Sequence, residues 1–213
     1  MIQMPEFFIK PDDLAYWYLR LNGFLTIHNF IVHHETRAPQ RTDVDILGVR
    51  FPFRNEINMP DSDCFSKYKT KPLFIFAEAT KSRCKLNGPW TDKDKGNMQR
   101  VLISLGAFNS DKIDEIANSL YQQGYFENQD YKINLLCIGK DHNSDVEKNY
   151  PEVPQILFTE ILDFIHKRFR KFHDQKSANQ QWDENGKNLW KCYDENRNKI
   201  ENFKDTILSG IKS

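Results

Sequence analysis

The chain has 213 residues, which is enough for one sizeable folded domain but short for two complete ones. Its 30 Lys and Arg residues balance 30 Asp and Glu residues, so the formal net charge is zero. This balance excludes a strongly basic packaging protein, and any attraction to nucleic acid must come from local patches. An apolar fraction of 39% indicates a real hydrophobic core rather than a disordered chain.

The cysteines are widely spaced and show neither a Cys-x-x-Cys pattern nor the Cys/His spacing of a zinc site. The first residues lack the basic and long apolar regions of a secretory leader. No apolar run approaches the ~20 residues that a membrane-spanning helix needs. The sequence therefore predicts a soluble, cytoplasmic protein without membrane contact.

Helical and strand patterns alternate along the chain and predict a mixed α/β fold. Strands are predicted over residues 24–32, 43–51, 73–80, 131–139 and 155–158. Helices are predicted over residues 11–21, 97–107, 110–123, 159–175 and 187–208. We expect a central mixed sheet of about four to five strands flanked by helices. Residues 1–160 would form this core, and residues 161–213 a helical extension that packs on it within a single domain.

Two of the predicted strands carry carboxylates near an end. Asp45 lies two residues after Asp43, so both project to one face of their strand. Glu78 closes a nearly all-apolar strand, where packing gives no reason for a charge. It must be hydrated, paired with a cation such as Lys81, or bound to a metal, because burying a bare carboxylate is costly. If the strands are adjacent, Asp45 and Glu78 form an oxygen-rich pocket suited to a hard divalent cation.

This order, an aspartate followed by an apolar strand that ends in Glu-x-x-Lys, resembles the PD-(D/E)XK nuclease superfamily with its restriction-endonuclease-like fold. Asp45 in Val-Asp-Ile-Leu is similar to the first metal-binding acid, Glu78 to the second acid and Lys81 to the lysine. The elements predicted over residues 11–140 match the α-β-β-β-α-β core of that superfamily. One position departs from the motif: the superfamily's lysine lies two residues after the acid, where this chain has Thr80.

The resemblance implies a metal-dependent endonuclease that hydrolyses phosphodiester bonds of DNA, in defence against foreign DNA or in repair. Asp45, Glu78 and the backbone carbonyl of Ala79 would hold Mg²⁺ or Mn²⁺, which would polarise the scissile phosphate and activate a bound water. Lys81 would orient that water and stabilise the charge that develops on phosphorus.

Three further residues could serve the same site. Some members of the superfamily carry a glutamine on the helix that follows the lysine strand, and Gln99 is the candidate here, although a solvated glutamine is the simpler interpretation. Asp43 is either a supporting acid or the first metal ligand itself. Thr80 could hydrogen-bond a water, but it supplies no positive charge.

A basic stretch in the predicted helix over residues 159–175 is a candidate phosphate-binding face. A core stripe that includes Ile161 and Phe169 would leave four cations exposed: Lys167, Arg168, Arg170 and Lys171. Arg100 is another candidate for a phosphate contact. A solvated helix face explains these cations equally well, because positive charge is favoured near a helix C-terminus. The apolar residues of the last helix would pack on the core, or form a surface for a protein partner or a homodimer.

Two alternatives stay open. A lysine displaced by one position suits a catalytically degenerate nuclease fold that serves as a nucleic-acid-binding or assembly subunit. A strand alternates its side chains, so Lys81 would point away from Glu78 unless a bulge turns it back. RNA is the alternative substrate, because nothing in the residues selects deoxyribose.

Overall fold

The structure is a computed structural model that describes residues 8–34, 36, 40–56, 58–66, 68–179 and 183–212. The strands are β1 (Leu25–His33), β2 (Gln40–Arg50), β3 (Leu73–Ala79), β4 (Tyr125–Glu127), β5 (Lys132–Gly139) and β6 (Gln155–Leu157). The α-helices are α1 (Pro11–Leu21), α2 (Asp63–Ser66), α3 (Gly88–Thr91), α4 (Asn97–Leu105), α5 (Ile113–Gln123), α6 (Ser144–Asn149), α7 (Phe158–Lys171), α8 (His173–Ala178), α9 (Glu184–Glu195) and α10 (Ile200–Ser209). Among the described residues, no helix has both the length and the apolar character required to cross a bilayer.

A single six-stranded mixed sheet organises the fold, with β1, β2, β3 and β5 side by side. The first three strands form an antiparallel meander, and β3 pairs in parallel with β5. β4 pairs with the first half of β5 and β6 with its last residues, so both lie on the outer side of that strand. The connection from β3 to β5 runs through α4 and α5, because a parallel pair needs a long crossover. The predicted mixed α/β architecture is confirmed.

The sheet buries apolar residues on both faces. On β3, Leu73, Ile75 and Ala77 belong to one cluster, which α1, α7, α9 and α10 cover. Phe76 belongs to a second cluster, which α4 and α5 cover on the opposite face. Every residue of β5 is buried, as expected for a central strand with parallel neighbours.

The C-terminal helices pack on α1 through a close contact at Trp17. The indole Nε1 of Trp17 donates a hydrogen bond to Oδ1 of Asp183 at 3.0 Å, and the same carboxylate caps α9 by accepting from the backbone N–H of Gly186 at 2.7 Å. A Cβ atom on Gly186 would lie 2.1 Å from the Trp17 ring, so only glycine permits this approach. Phe203 and Ile207 of α10 are buried in the same cluster as Trp17.

The elements differ from the predictions in several places: β2 begins three residues earlier than predicted, and the short helices α2, α3 and α6 were not predicted. The predicted helix over residues 187–208 is wrong: α9 and α10 are separated by a turn in which the N–H of Lys199 bonds to the carbonyl of Asn196 at 2.8 Å. Residues 194–199 are all polar, so no side chain there can hold a continuous helix against the core. The helix predicted over residues 159–175 is divided into α7 and α8, and the three-residue β4 was not predicted.

The long loop between β2 and β3 is held by hydrogen bonds at several of its described residues. Arg50, at the end of β2, is buried and donates a hydrogen bond to the carbonyl of Phe65 at 2.9 Å, and its guanidinium pairs with Asp61. The side chain of Asn22 accepts from the N–H of Ser62 at 2.8 Å, which fixes the loop to the end of α1. The loop therefore packs against α1, at the end of β2 away from the predicted acids.

Candidate metal-binding site

β2 and β3 separate at the point where both carry acids. Their ladder runs from the pair Arg50–Leu73 to the pair Ile46–Ala77. Beyond it, β2 continues beside β1, and β3 continues beside β5. Asp45 and Glu78 are the first residues past the last pair, one on each diverging strand. We call this place the fork, and it brings the two predicted acids together.

The side chain of Asp45 bridges the fork. Its Oδ2 atom accepts a hydrogen bond from the backbone N–H of Ala79 at 2.9 Å, where a regular sheet would place a backbone partner. On β1, Asn29 adopts a left-handed conformation with φ of 53° beside this position. Val44 and Ile46 pack into different clusters although they are two residues apart on one strand. The strand turns about its axis at Asp45.

Glu78 carries an uncompensated carboxyl group. Burial, together with the negative charges of Asp45 and Asp43, raises the pKa of Glu78 to about 8. Its Oε2 atom is buried and has no hydrogen-bond partner among the described residues. The cation that partly offsets the shift is Lys85, in the segment after β3. Such an oxygen is poorly satisfied by the protein alone and is suited to a cation.

Asp43 lies on β2, two residues before Asp45. The indole Nε1 of Trp90, in α3, donates a hydrogen bond to the backbone carbonyl of Asp43 at 3.1 Å. The side chain of Asn87 approaches Oδ1 of Asp43 at 3.5 Å. Asp43 is thus fastened to the segment after β3, and its charge acts on both Asp45 and Glu78.

A second group of polar side chains stands beside Asp45. Asp12 and Asp13 of α1 and His28 of β1 offer ligand atoms that all lie within 4.8 Å of one another. The His28 Nε2 to Asp12 Oδ2 distance is 2.9 Å, and this hydrogen bond raises the pKa of His28. Both Asp12 and His28 act electrostatically on Asp45. The only local signal for this proximity is a pair of acids in the first turn of a helix, which the helix dipole already explains.

Lys81 lies two residues after the end of β3. Lys81 lines a cavity of about 580 Å³ together with Lys140, Phe158 and Thr159, and neither Asp45 nor Glu78 contributes to its lining. Thr80, at the usual position of the lysine, donates a hydrogen bond from Oγ1 to the carbonyl of Arg83 at 2.8 Å. Its backbone N–H bonds to the carbonyl of Ile138 at 3.0 Å. β3 stays paired in register with β5 as far as Ala79 and Ile138.

Gln99 and Arg100 lie in the first turns of α4. The Gln99 side chain accepts a hydrogen bond from the hydroxyl of Tyr121 at 3.2 Å and approaches Oδ1 of Asp114 at 3.4 Å, so it contacts α5. Arg100 is partly exposed one residue later. The structure therefore joins Gln99 to the neighbouring helix rather than to the two acids of the fork.

The basic stretch of α7 is divided between the surface and the interior. Lys167, Arg170 and Lys171 are exposed as predicted. The predicted exposure of Arg168 is wrong: it is 5% exposed, and its guanidinium pairs with Glu56 of the long loop. Glu56, 112 positions earlier in the chain, accepts a hydrogen bond from the buried guanidinium and stabilises its positive charge.

The fork fits a hard divalent cation by the chemistry of its donors. Asp45 retains its second carboxylate oxygen, Glu78 has an oxygen without a partner, and the carboxylates outnumber the nearby cations. Mg²⁺ and Mn²⁺ prefer such oxygen ligands. Comparison of the chain with models of protein families, with curated proteins and with solved structures finds no significant match.

Proposed function

We propose that the protein is a metal-dependent endonuclease of the PD-(D/E)XK type that hydrolyses phosphodiester bonds of DNA. The observation that supports it most is the fork, where Asp45 and Glu78 lie together and Glu78 keeps a buried oxygen without a hydrogen-bond partner. The meander followed by a parallel strand is compatible with the resemblance in the sequence. A role in defence against foreign DNA or in repair, in the cytoplasm, is part of the proposal and follows from the resemblance.

Asp45, Glu78 and the carbonyl of Ala79 would hold Mg²⁺ or Mn²⁺, whose charge would polarise the scissile phosphate and lower the pKa of a bound water. Glu78 must release its proton for this, because its pKa is raised to about 8. Asp43 and Asp12 add negative potential around the ligands. Lys85 takes the role of the lysine in this proposal, since its charge acts on Glu78, and Lys81 remains the alternative that the motif favours.

A second candidate function is a nucleic-acid-binding or assembly subunit without turnover. Two observations favour it. Thr80 occupies the usual position of the lysine and is bonded to the carbonyl of Arg83. Lys81 lines a cavity to which the two acids do not contribute.

The test is a cleavage assay with plasmid and single-stranded DNA, and with RNA as a further substrate, in Mg²⁺, in Mn²⁺ and in EDTA. We expect metal-dependent cutting that falls at least 100-fold in Asp45→Asn and in Glu78→Gln. Glu147→Gln is the matched control, because Glu147 is exposed on α6 and lies outside the fork.

A direct measurement of cation binding tests the site independently of turnover. Calorimetric titration with Mn²⁺ should show binding to the wild type and to Glu147→Gln but not to Glu78→Gln. Cutting that survives Glu78→Gln would sink the assignment of the site. Nucleic-acid binding without cutting would establish the second candidate.

A further inference from the structure

A cavity of about 430 Å³ lies at the other end of α1 from the fork. It opens between the end of α1, the loop after β2, the end of α7 and α8. Asp12 and Arg20 are separated by eight positions of helix, or about 12 Å at 1.5 Å per residue. Its lining includes Trp17, Arg20, Arg54, Glu56, Arg168 and Lys176.

Positive charge dominates this cavity. Arg20, Arg54, Arg168 and Lys176 line it, and Glu56 is the one carboxylate among its lining residues in the described part of the chain. Glu56 is shared, because its Oε2 atom pairs with Arg168 and also approaches Nη2 of Arg54 at 3.4 Å. One carboxylate of the lining therefore serves two guanidinium groups. Asp61, outside the lining, also approaches Nε of Arg54 at 3.4 Å but is shared with Arg50, so the lining itself keeps a formal excess of three positive charges.

Arg168 is the buried member of this set. It is 5% exposed, its Nη2 atom is bonded to Glu56, and its Nη1 atom has no hydrogen-bond partner among the described residues. Burying a guanidinium donor without an acceptor costs free energy unless a ligand completes it. Burial also lowers the pKa of Arg168.

The other cations are held in fixed positions. A Cβ on Gly23, whose φ is +80°, would lie 2.1 Å from Nε of Arg54, so the guanidinium of Arg54 packs directly on this glycine. The guanidinium of Arg20 lies over the Trp17 ring, 5.2 Å from its centroid. Burial, with the positive charges of Arg168 and Arg20, lowers the pKa of Lys176 to about 8.

We propose that this cavity is a binding site for a multiply charged phosphate group, separate from the fork. A guanidinium presents parallel N–H donors that match the oxygens of a phosphate, and the side chains of three arginines line this cavity. An excess of three charges suits a di- or triphosphate better than a single carboxylate. The volume is in the range of small-molecule sites. The group could belong to a free nucleotide or to the phosphorylated end of an oligonucleotide.

The test is calorimetric titration of the full chain in EDTA at low salt with inorganic phosphate, pyrophosphate and ATP. We expect saturable binding of one equivalent, tighter for pyrophosphate and ATP than for phosphate. Arg20→Gln and Lys176→Gln should each weaken pyrophosphate binding at least 10-fold. Both are preferred to Arg168 variants, because Arg168 is buried and its loss endangers folding. Lys148→Gln is the matched control, since Lys148 is exposed on α6.

Competition identifies the source of the phosphate. If a 5′-phosphorylated oligonucleotide displaces pyrophosphate and its unphosphorylated form does not, the site binds a nucleic-acid end. If neither displaces pyrophosphate, the site binds a free compound. The proposal is overturned if no phosphate compound binds saturably, or if folded Arg20→Gln and Lys176→Gln bind pyrophosphate as the wild type does. Asp45→Asn should leave this binding unchanged, so the outcome is independent of nuclease activity.

Discussion

The Oδ2 atom of Asp45 accepts a hydrogen bond from the backbone N–H of Ala79 at 2.9 Å, across the gap where β2 and β3 part. A side chain thus makes a hydrogen bond between the two strands just beyond the point where their backbone pairing ends. The bond fixes one carboxylate oxygen of Asp45 and places the acid next to Glu78. The same residue thereby has a structural role and a proposed role as a ligand, and suitable variants separate the two.

Asp45→Asn should keep the fold and lose the cation. An asparagine retains an oxygen that accepts the N–H of Ala79, and it removes a negative charge that opposes Glu78. We expect its free energy of unfolding in EDTA to equal or exceed that of the wild type. Asp45→Ala loses the bond and should be less stable than Asp45→Asn by about 1 kcal/mol. Urea unfolding measures stability, and Mn²⁺ titration should show no binding in either variant. Equal stability of the two variants would mean that the bond contributes nothing.

The raised pKa of Glu78 predicts an unusual dependence of stability on pH in the metal-free protein. The folded state holds a proton up to a pKa of about 8, whereas the unfolded state releases it near 4.5. Between these values the folded state binds more protons, so stability falls as pH rises, by at most about 1.4 kcal/mol per pH unit. Below 4.5 and above 8 this contribution is flat.

Glu78→Gln should abolish that slope. Urea unfolding in EDTA at pH 5, 6, 7 and 8 should show a variant that gains stability over the wild type as pH rises. Glu147→Gln, exposed on α6, should follow the wild type at every pH. If Glu78→Gln and the wild type have the same profile, the carboxyl of Glu78 is not protonated in the folded state.

The sheet and the two acids could be predicted because local patterns encode them. Apolar runs such as the one from Leu73 to Ala77 identify buried strands, and a charge at the end of such a run has no packing role. The split between α9 and α10 was missed because helical spacing resumes after the polar turn at residues 196–199. β4 is too short to leave a periodic signal.

Three other relationships between separate positions could not be predicted. Arg168 has the local environment of an exposed helix cation, and its burial depends on Glu56 in a loop. His28 is one polar residue in an alternating strand, and only the fold brings it to Asp12. Lys85 follows β3 by several residues, so its action on Glu78 depends on how the intervening segment runs. These relationships depend on the complete three-dimensional fold, so no local pattern in the sequence reveals them.

A comparison of Lys85→Ala with Lys81→Ala tests which lysine serves the fork. Lys85 acts on Glu78, whereas Lys81 lines a cavity without the two acids. Under the proposed nuclease function, Lys85→Ala should lower the metal-dependent cleavage rate at least 10-fold and shift its rise with pH to higher pH. Lys81→Ala should change the rate less than 3-fold. If Lys81→Ala lowers the cleavage rate more than Lys85→Ala does, Lys81 is the lysine that serves the fork. Lys148→Ala is the control for the loss of a surface charge.

Asp61→Asn should lower the free energy of unfolding without changing cation binding at the fork. The side chains of Arg50 and Asp61 are 4% and 7% exposed and form an ion pair that ties the long loop to the end of β2. Removal of one partner leaves a buried guanidinium uncompensated, which costs about 3–5 kcal/mol. The free energies of unfolding of Asp61→Asn and of the exposed control Asp111→Asn, measured in urea, should differ by that amount.

Mn²⁺ binding by the folded fraction of Asp61→Asn should match the wild type, because Arg50 lies five residues, or about 16 Å of strand, from Asp45. A cost below 1 kcal/mol would show that water or a neighbouring group compensates Arg50.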